Sequence, residues 1–145
     1  DFITRNLFLS TGYKVAQKTL SHINGFYGVN TASAKVTAIL EDLINLEAKY
    51  VSFSTNDDIV SIKQAAAKRI CLVGNLNGIK MVNWSEAEIV SNVKTVIKHA
   101  GRDGGLMLAE SHGEIPWQVS EKVLLGISAA VEEFGRYPLT WCNHE

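Results

Sequence analysis

Leu106-Met107-Leu108-Ala109-Glu110-Ser111-His112-Gly113-Glu114 is the stretch whose reading decides the fold. Four apolar residues behind Gly104-Gly105 and ahead of a polar loop read as a short buried strand. Beyond the loop, Val119, Val123, Leu124, Ile127, Ala130, Val131 and Phe134 recur at helical spacing, the pattern of an amphipathic helix laid on a sheet. Strand, polar loop and helix together make one βα unit. Working back toward the N-terminus, the same unit recurs. Gly25-Phe26-Tyr27-Gly28-Val29, Tyr50-Val51-Ser52-Phe53-Ser54 and Ile70-Cys71-Leu72-Val73-Gly74 are the earlier strand candidates. Val36, Ile39, Leu40, Leu43 and Ile44 give one intervening helix, and Ile89, Val90, Val93, Val96 and Ile97 another.

Local signals sharpen the helix starts. Ser85-Glu86-Ala87-Glu88 is a capping box, in which the serine and the glutamate satisfy each other's backbone donors, so a helix begins near residue 85. Asn56-Asp57-Asp58 puts a cap and two carboxylates at the positive end of a helix running toward Lys68 and Arg69, which reads both aspartates as first-turn residues. The resulting order is α-β-α-β-α-β-α-β-α, with a leading helix over residues 1–24, four βα units over 25–138 and a tail over 139–145. Strands that are mostly apolar and each followed by a helix form a parallel sheet. Two architectures satisfy that: a small doubly wound sheet, or half of an eight-stranded barrel. In both, function gathers at the C-terminal ends of the strands.

Composition bounds the function. Of 145 residues 46% are apolar and 20% charged, which describes one globular domain large enough to build a core without a covalent staple. Fourteen Lys and Arg against fifteen Asp and Glu leave a formal charge of −1, so no phosphate-binding surface is expected and nucleic acid is not a partner. Cys71 and Cys142 form neither a CxxC nor a disulfide ladder, which suits a cytoplasmic location. No apolar run approaches the roughly 20 residues that span a bilayer. The chain opens at Asp1 without Met and passes at once into Phe2, Ile3, Leu7 and Phe8, the reading expected of a fragment or a processed chain.

The strand-end rule selects four polar loops. His112 stands between Glu110 and Glu114, beside Gly113, where an imidazole can act as acid, base or ligand; a histidine that only bridges its own loop is the alternative. Gly74-Asn75-Leu76-Asn77-Gly78 offers two amides and backbone N–H groups to a ligand, or is simply a turn. Asn30 and Ser33 can bind a substrate or cap the next helix, and Trp117, beside Pro116, can wall a pocket. Asn75, Asn77, Glu110 and His112 are expected to converge in one pocket with Trp117 near its rim. Closely spaced Cys and His ligands are lacking, so no metal site is expected.

Taken together, 104–116, with the ending Glu133-Phe134-Gly135-Arg136-Tyr137-Pro138, resembles the C-terminus of the uroporphyrinogen decarboxylase superfamily, which also holds cobamide-dependent methyltransferases. Ile39-Leu40-Glu41-Asp42-Leu43, Tyr50-Val51-Ser52-Phe53 and 71–77 look like its preceding elements in the same order. The resemblance implies the C-terminal half of a (β/α)8 TIM-type barrel, with four parallel strands alternating with helices. It further implies that His112-Gly113 matches the histidine-glycine of the decarboxylases' last barrel loop. In the zinc methyltransferases that loop carries a cysteine ligand, and an earlier strand end carries His-x-Cys. Tyr27 to Ser33 has neither His nor Cys, and the arginines and aspartate that grip a porphyrin belong to the N-terminal half. The implied function is a corrinoid-linked methyltransferase of one-carbon metabolism, with His112 and Glu110 catalytic and Asn30, Ser33, Asn75, Asn77 and Trp117 binding ligand. This chain would hold no cofactor, the corrinoid sitting on a partner protein. A tetrapyrrole decarboxylase and a non-catalytic half-barrel are the alternatives. A homo-oligomer or a missing N-terminal half is the expected partner.

Overall fold

The computed structural model describes residues 4–143. Two helices lead, α1 (Arg5–Ser10) and α2 (Gly12–Leu20). The single helix expected over 1–24 is broken at Thr11, whose backbone leaves the helical region (φ −124°, ψ −82°) while its hydroxyl and that of Ser10 donate to the Leu7 carbonyl. Asp1, Phe2 and Ile3 lie outside the described residues.

There follow β1 (Gly28–Val29), α3 (Leu40–Asn45), β2 (Tyr50–Ser52), α4 (Ile59–Ala66), β3 (Cys71–Leu76), α5 (Gly78–Met81), α6 (Glu86–Val96), β4 (Leu106–Glu110) and α7 (Glu121–Phe134). The capping box at Ser85 forms as its sequence requires, with both reciprocal hydrogen bonds present. α6 runs on into a wider turn over Ile97–Gly101. β1 is shorter than the expected 25–29: Phe26 is 90% exposed and only Gly28 and Val29 pair with β2. β3 instead runs on through Leu76.

All pairings are parallel, and the strand order is β1-β2-β3-β4. A doubly wound sheet reverses its order at a switch point. This sheet does not, so of the two architectures the partial barrel is the one present, and it is not closed. Register sorts the side chains onto two faces, since parallel partners share a side. Val51, Leu72 and Leu106 pair in line; with Phe53 and Leu76 they pack under the helices in two clusters, one centred on Phe53, Ile62 and Leu72 and the other on Met81, Val93 and Ile97. The opposite face carries Tyr50, Cys71, Val73 and Met107, of which Tyr50 is 40% and Met107 46% exposed. Parallel sheets ordinarily have both faces covered; here one is bare.

The segment expected as a tail is packed. Leu139 and Cys142 are buried in the second cluster, and Trp141 meets the Phe134 ring edge-on at 5.7 Å while its Nε1 donates to the Phe134 carbonyl at 2.9 Å. His144 lies outside the described residues. Among the described residues, no helix is long and apolar enough to cross a membrane.

Candidate functional site at the strand ends

The four loops meet at the C-terminal edge of the sheet. In the first, Asn30 Oδ1 accepts from Ala32 N at 2.9 Å and from Ser52 Oγ at 3.1 Å, and Thr31 N donates to the same Ser52 oxygen at 2.7 Å. Ala32 and half-buried Ser33 follow in left-handed backbone, φ 44° and 70°. Neither Asn30 nor Ser33 caps a helix. α3 begins ten residues after Asn30 with Ile39 at its cap and no side-chain bond there, so the capping alternative is set aside: Asn30 ties its loop to β2 instead.

The fourth loop is folded around Glu110. Its carboxylate, 11% exposed, accepts from His112 N at 2.6 Å and Gly113 N at 2.5 Å. Those two bonds hold the loop in a tight turn that Gly113 enters at φ 95°. The His112 ring, 23% exposed, places Nδ1 3.7 Å from Glu110 Oε2 and 3.3 Å from Ser111 Oγ. Of the two flanking carboxylates only Glu110 reaches the imidazole among the described residues; Glu114 is exposed. A Cβ added at Gly113 would lie 3.8 Å from Asn30 Nδ2. The first and last loops therefore touch, and the sheet is curled enough to bring its two edges' loops together.

The third loop joins both neighbours. Asn75 Nδ2 donates to the Ser54 carbonyl at 3.2 Å. A Cβ added at Gly78 would stand 3.0 Å from Glu110 Oε2 and 3.5 Å from Pro116 Cδ, so this glycine permits the close approach of the two loops. Asn77 caps α5 through Oδ1, which accepts from Lys80 N at 3.0 Å. Asn75 and Asn77 line a cleft of about 340 Å³ facing α4 and α6, whereas Glu110 lines a separate apolar cavity of about 330 Å³ with Ile115 and Leu124. The expected single pocket is thus divided. Trp117 is 89% exposed.

Two residues central to this edge have roles that the sequence patterns do not show. Ser52 is the hub of the first loop, as above. Asp57 is buried, and its carboxylate accepts from Ser54 N, Val36 N, Thr37 N and Thr37 Oγ1. Only Asp58 acts as the helix cap, with its carboxyl held below the ordinary range by the hydrogen bond from Ser61. The first-turn reading is therefore corrected for both: Asp58 is the cap itself, and Asp57 lies before the helix. The usable signal was the adjacency of two aspartates where a helix has one cap position.

On the bare face, burial pushes the Cys71 thiol above its ordinary range, which keeps it protonated and unreactive at neutral pH. Among the described residues, no three His, Cys, Asp or Glu side chains are grouped to hold a metal ion.

The model of the uroporphyrinogen decarboxylase (URO-D) family matches residues 11–134. The chain belongs to the uroporphyrinogen decarboxylase family. The match runs from α2 to the last residue of α7 and takes in all four strands with their loops, so the edge just described lies wholly within the URO-D region. No curated protein matches the chain.

Proposed function

We propose that the chain is the C-terminal portion of a URO-D-like enzyme that transfers a methyl group to a corrinoid carried by a partner protein, in one-carbon metabolism. The observation that carries this reading is the donor set of the strand-end edge. Asn30, Ser52, Asn75 and His112 offer amide, hydroxyl and imidazole groups beside two engaged carboxylates, Asp57 and Glu110, and the exposed Glu114, and the four loops 30–33, 54–57, 74–78 and 110–114 contain no arginine or lysine. What this half itself offers is uncharged donors and an imidazole, which suit a neutral methylated compound; the guanidinium or ammonium partners of a polycarboxylate would come from the N-terminal half.

In this reading His112 gives a proton to the oxygen, nitrogen or sulfur that loses its methyl group, Asn30 and Ser33 of the touching first loop orient that atom, and Asn75 meets a more distant part of the substrate from the neighbouring cleft. Glu110 acts through His112 as a positioning residue, because its oxygens already hold the His112 and Gly113 amides. Asn77 serves as a helix cap first, and Trp117 offers an exposed ring for the substrate or the partner. The corrinoid supplies the methyl acceptor when bound, and no residue of this chain is assigned to hold it. Thiolate activation by zinc is left out, since the edge offers no thiolate. The bare sheet face and the unpaired outer edges of β1 and β4 support pairing with a second copy or with an N-terminal half-barrel, in the cytoplasm.

The test follows labelled methyl transfer to free cobalamin from a panel of O-, N- and S-methyl compounds, beside CO2 release from uroporphyrinogen. Methyl transfer that falls at least about tenfold in His112→Ala, with the fold retained, is expected. Release of CO2 without methyl transfer would make the protein a decarboxylase. Neither activity, from a protein shown by light scattering to be self-paired, would favour the non-catalytic half-barrel that the bare face also supports.

A further inference from the structure

Asn-Gly occurs twice in the chain, at Asn24-Gly25 and Asn77-Gly78, and the two sites are held in opposite ways. Asn77 is the cap of α5, its Oδ1 accepting from Lys80 N at 3.0 Å. Gly78 after it is buried, and a Cβ there would stand 3.0 Å from Glu110 Oε2. Asn24 lies instead in the link between α2 and β1. Both it and Gly25 are exposed, as is Phe26 beyond them. Neither the Asn24 side chain nor the Gly25 N–H has a hydrogen bond among the described residues. Gly25 stands at φ 145°, and a Cβ built on it would meet nothing within 4 Å, so no neighbouring group crowds this peptide.

We propose that Asn24 is a site of spontaneous covalent modification, converted by its own backbone to aspartate and isoaspartate. The Gly25 amide nitrogen attacks Asn24 Cγ. The N–Cγ bond forms, the Cγ–Nδ2 bond breaks, and Nδ2 leaves as ammonia with the proton lost from Gly25 N. Water then opens the cyclic imide at either carbonyl, giving aspartate or, where the main chain is rerouted through the side chain, isoaspartate. The glycine matters because a Cβ on the next residue obstructs the attacking nitrogen; every asparagine other than Asn24 and Asn77 precedes a residue with a side chain. At Asn77 the attack must first break the cap and open the start of α5, which slows it at least about tenfold. The product at Asn24 adds a carboxylate to a chain of formal charge −1. It does so in the groove of about 430 Å³ that Asn24 shares with Tyr27, Glu47 and Lys49, ahead of β1 and β2. That is the end of the sheet away from His112, so the modification is independent of the chemistry assigned there.

The test incubates the chain at mildly alkaline pH, folded and in denaturing urea, and reads the peptides carrying Asn24 and Asn77 by mass spectrometry over time. Isoaspartate is counted separately, by labelling with an isoaspartyl-specific methyltransferase. In the folded chain Asn24 should convert at least about tenfold faster than Asn77, and in urea, where the cap is gone, the two rates should draw together. The Asn24 rate should rise with pH, because the attacking amide must give up its proton. Asn24→Gln should remove most of the isoaspartyl label and leave the melting temperature unchanged, since the Asn24 side chain has no partner to lose among the described residues. An Asn24 that stays an amide in the folded chain, an Asn77 that converts as fast as Asn24 there, or a label undiminished in Asn24→Gln would each overturn the assignment.

Discussion

Replacing Asp57 tests how the strand-end edge is held together. Its Oδ1 accepts from Thr37 N at 3.1 Å, Thr37 Oγ1 at 2.5 Å and Val36 N at 3.2 Å, while Oδ2 accepts from Ser54 N at 3.0 Å and Val36 N at 3.2 Å. Val36 and Ser54 are fully buried and Thr37 is exposed. In Asp57→Ala, water can reach the Thr37 groups but not the other two amides. Two buried N–H groups lose their acceptor at about 1–3 kcal/mol each, so the loss of stability is about 4 kcal/mol. Asp57→Asn keeps Oδ1 and sets an amide NH2 against Ser54 N, orphaning one buried donor at a cost of about 2 kcal/mol. For a chain of this size these figures correspond to melting temperatures lower by about 12 °C and about 6 °C. Urea unfolding followed by circular dichroism measures both, with an unchanged slope showing that only stability has moved. An alanine variant within about 0.5 kcal/mol of the parent, or one as stable as the asparagine variant, would refute the reasoning.

Three further outcomes follow from the same contacts. The carboxyls of Glu41 (beside Arg69), Asp58 (bonded by Ser61), Glu86 (beside Lys122) and Glu88 (bonded by Ser85) all stand below their ordinary range. Groups depressed on folding contribute fully above their unfolded values and lose that contribution as pH falls through the folded ones. The melting temperature should accordingly be flat with respect to these groups above about pH 5 and fall below about pH 4; a rise on acidification would contradict it. Arg5→Ala removes the bidentate 2.8 Å pair to buried Asp42 that ties α1 to α3, so limited proteolysis should cut within residues 5–20 before the rest of the chain, and an unchanged digestion pattern would show that the pair does not hold the helix down. Gly78→Ala brings a methyl to 3.0 Å from Glu110 Oε2 and should displace the His112 loop, read as altered His112 and Gly113 amide signals; a spectrum unchanged there would mean the loops are not pressed together.

The alternation of βα units was legible because each strand is a short apolar run closed by glycine or polar residues and each helix shows its own period, as in 70–74 and 119–134. The Ser85 cap was legible too, since a capping box is a local hydrogen-bond exchange that needs no tertiary partner. The strand order was not, because it depends on which edges pair across 20 or more residues. β1 was overread at Phe26, where β-propensity is high but no partner strand lies alongside. The tail was underread for the converse reason: Leu139, Trp141 and Cys142 are too few to show a period, and only contact with Phe134 buries them.

The candidate site divides along the same line. Sequence position alone brings Asn30, Asn75, Glu110 and His112 to one edge, because each lies in the last two residues of a strand or follows it by a residue or two. What each side chain does there is decided by neighbours in other loops. Asn30 is fixed by Ser52, 22 residues away, and Asn75 by the Ser54 carbonyl, 21 away. Asn77, four residues into the same glycine-bounded loop, is turned instead by a donor three residues on and becomes a cap. Glu110 is spent on its own loop's amides, which leaves the His112 ring as the one titratable group of the edge within reach of both that carboxylate and solvent. An imidazole seated on a rigid turn, with its backbone fixed by two short bonds, pays little entropy to meet a substrate. That economy depends on Glu110 more than on His112 itself, so Glu110→Gln, which can accept from only one of the two amides, should loosen the turn and weaken any activity of His112 without removing the imidazole.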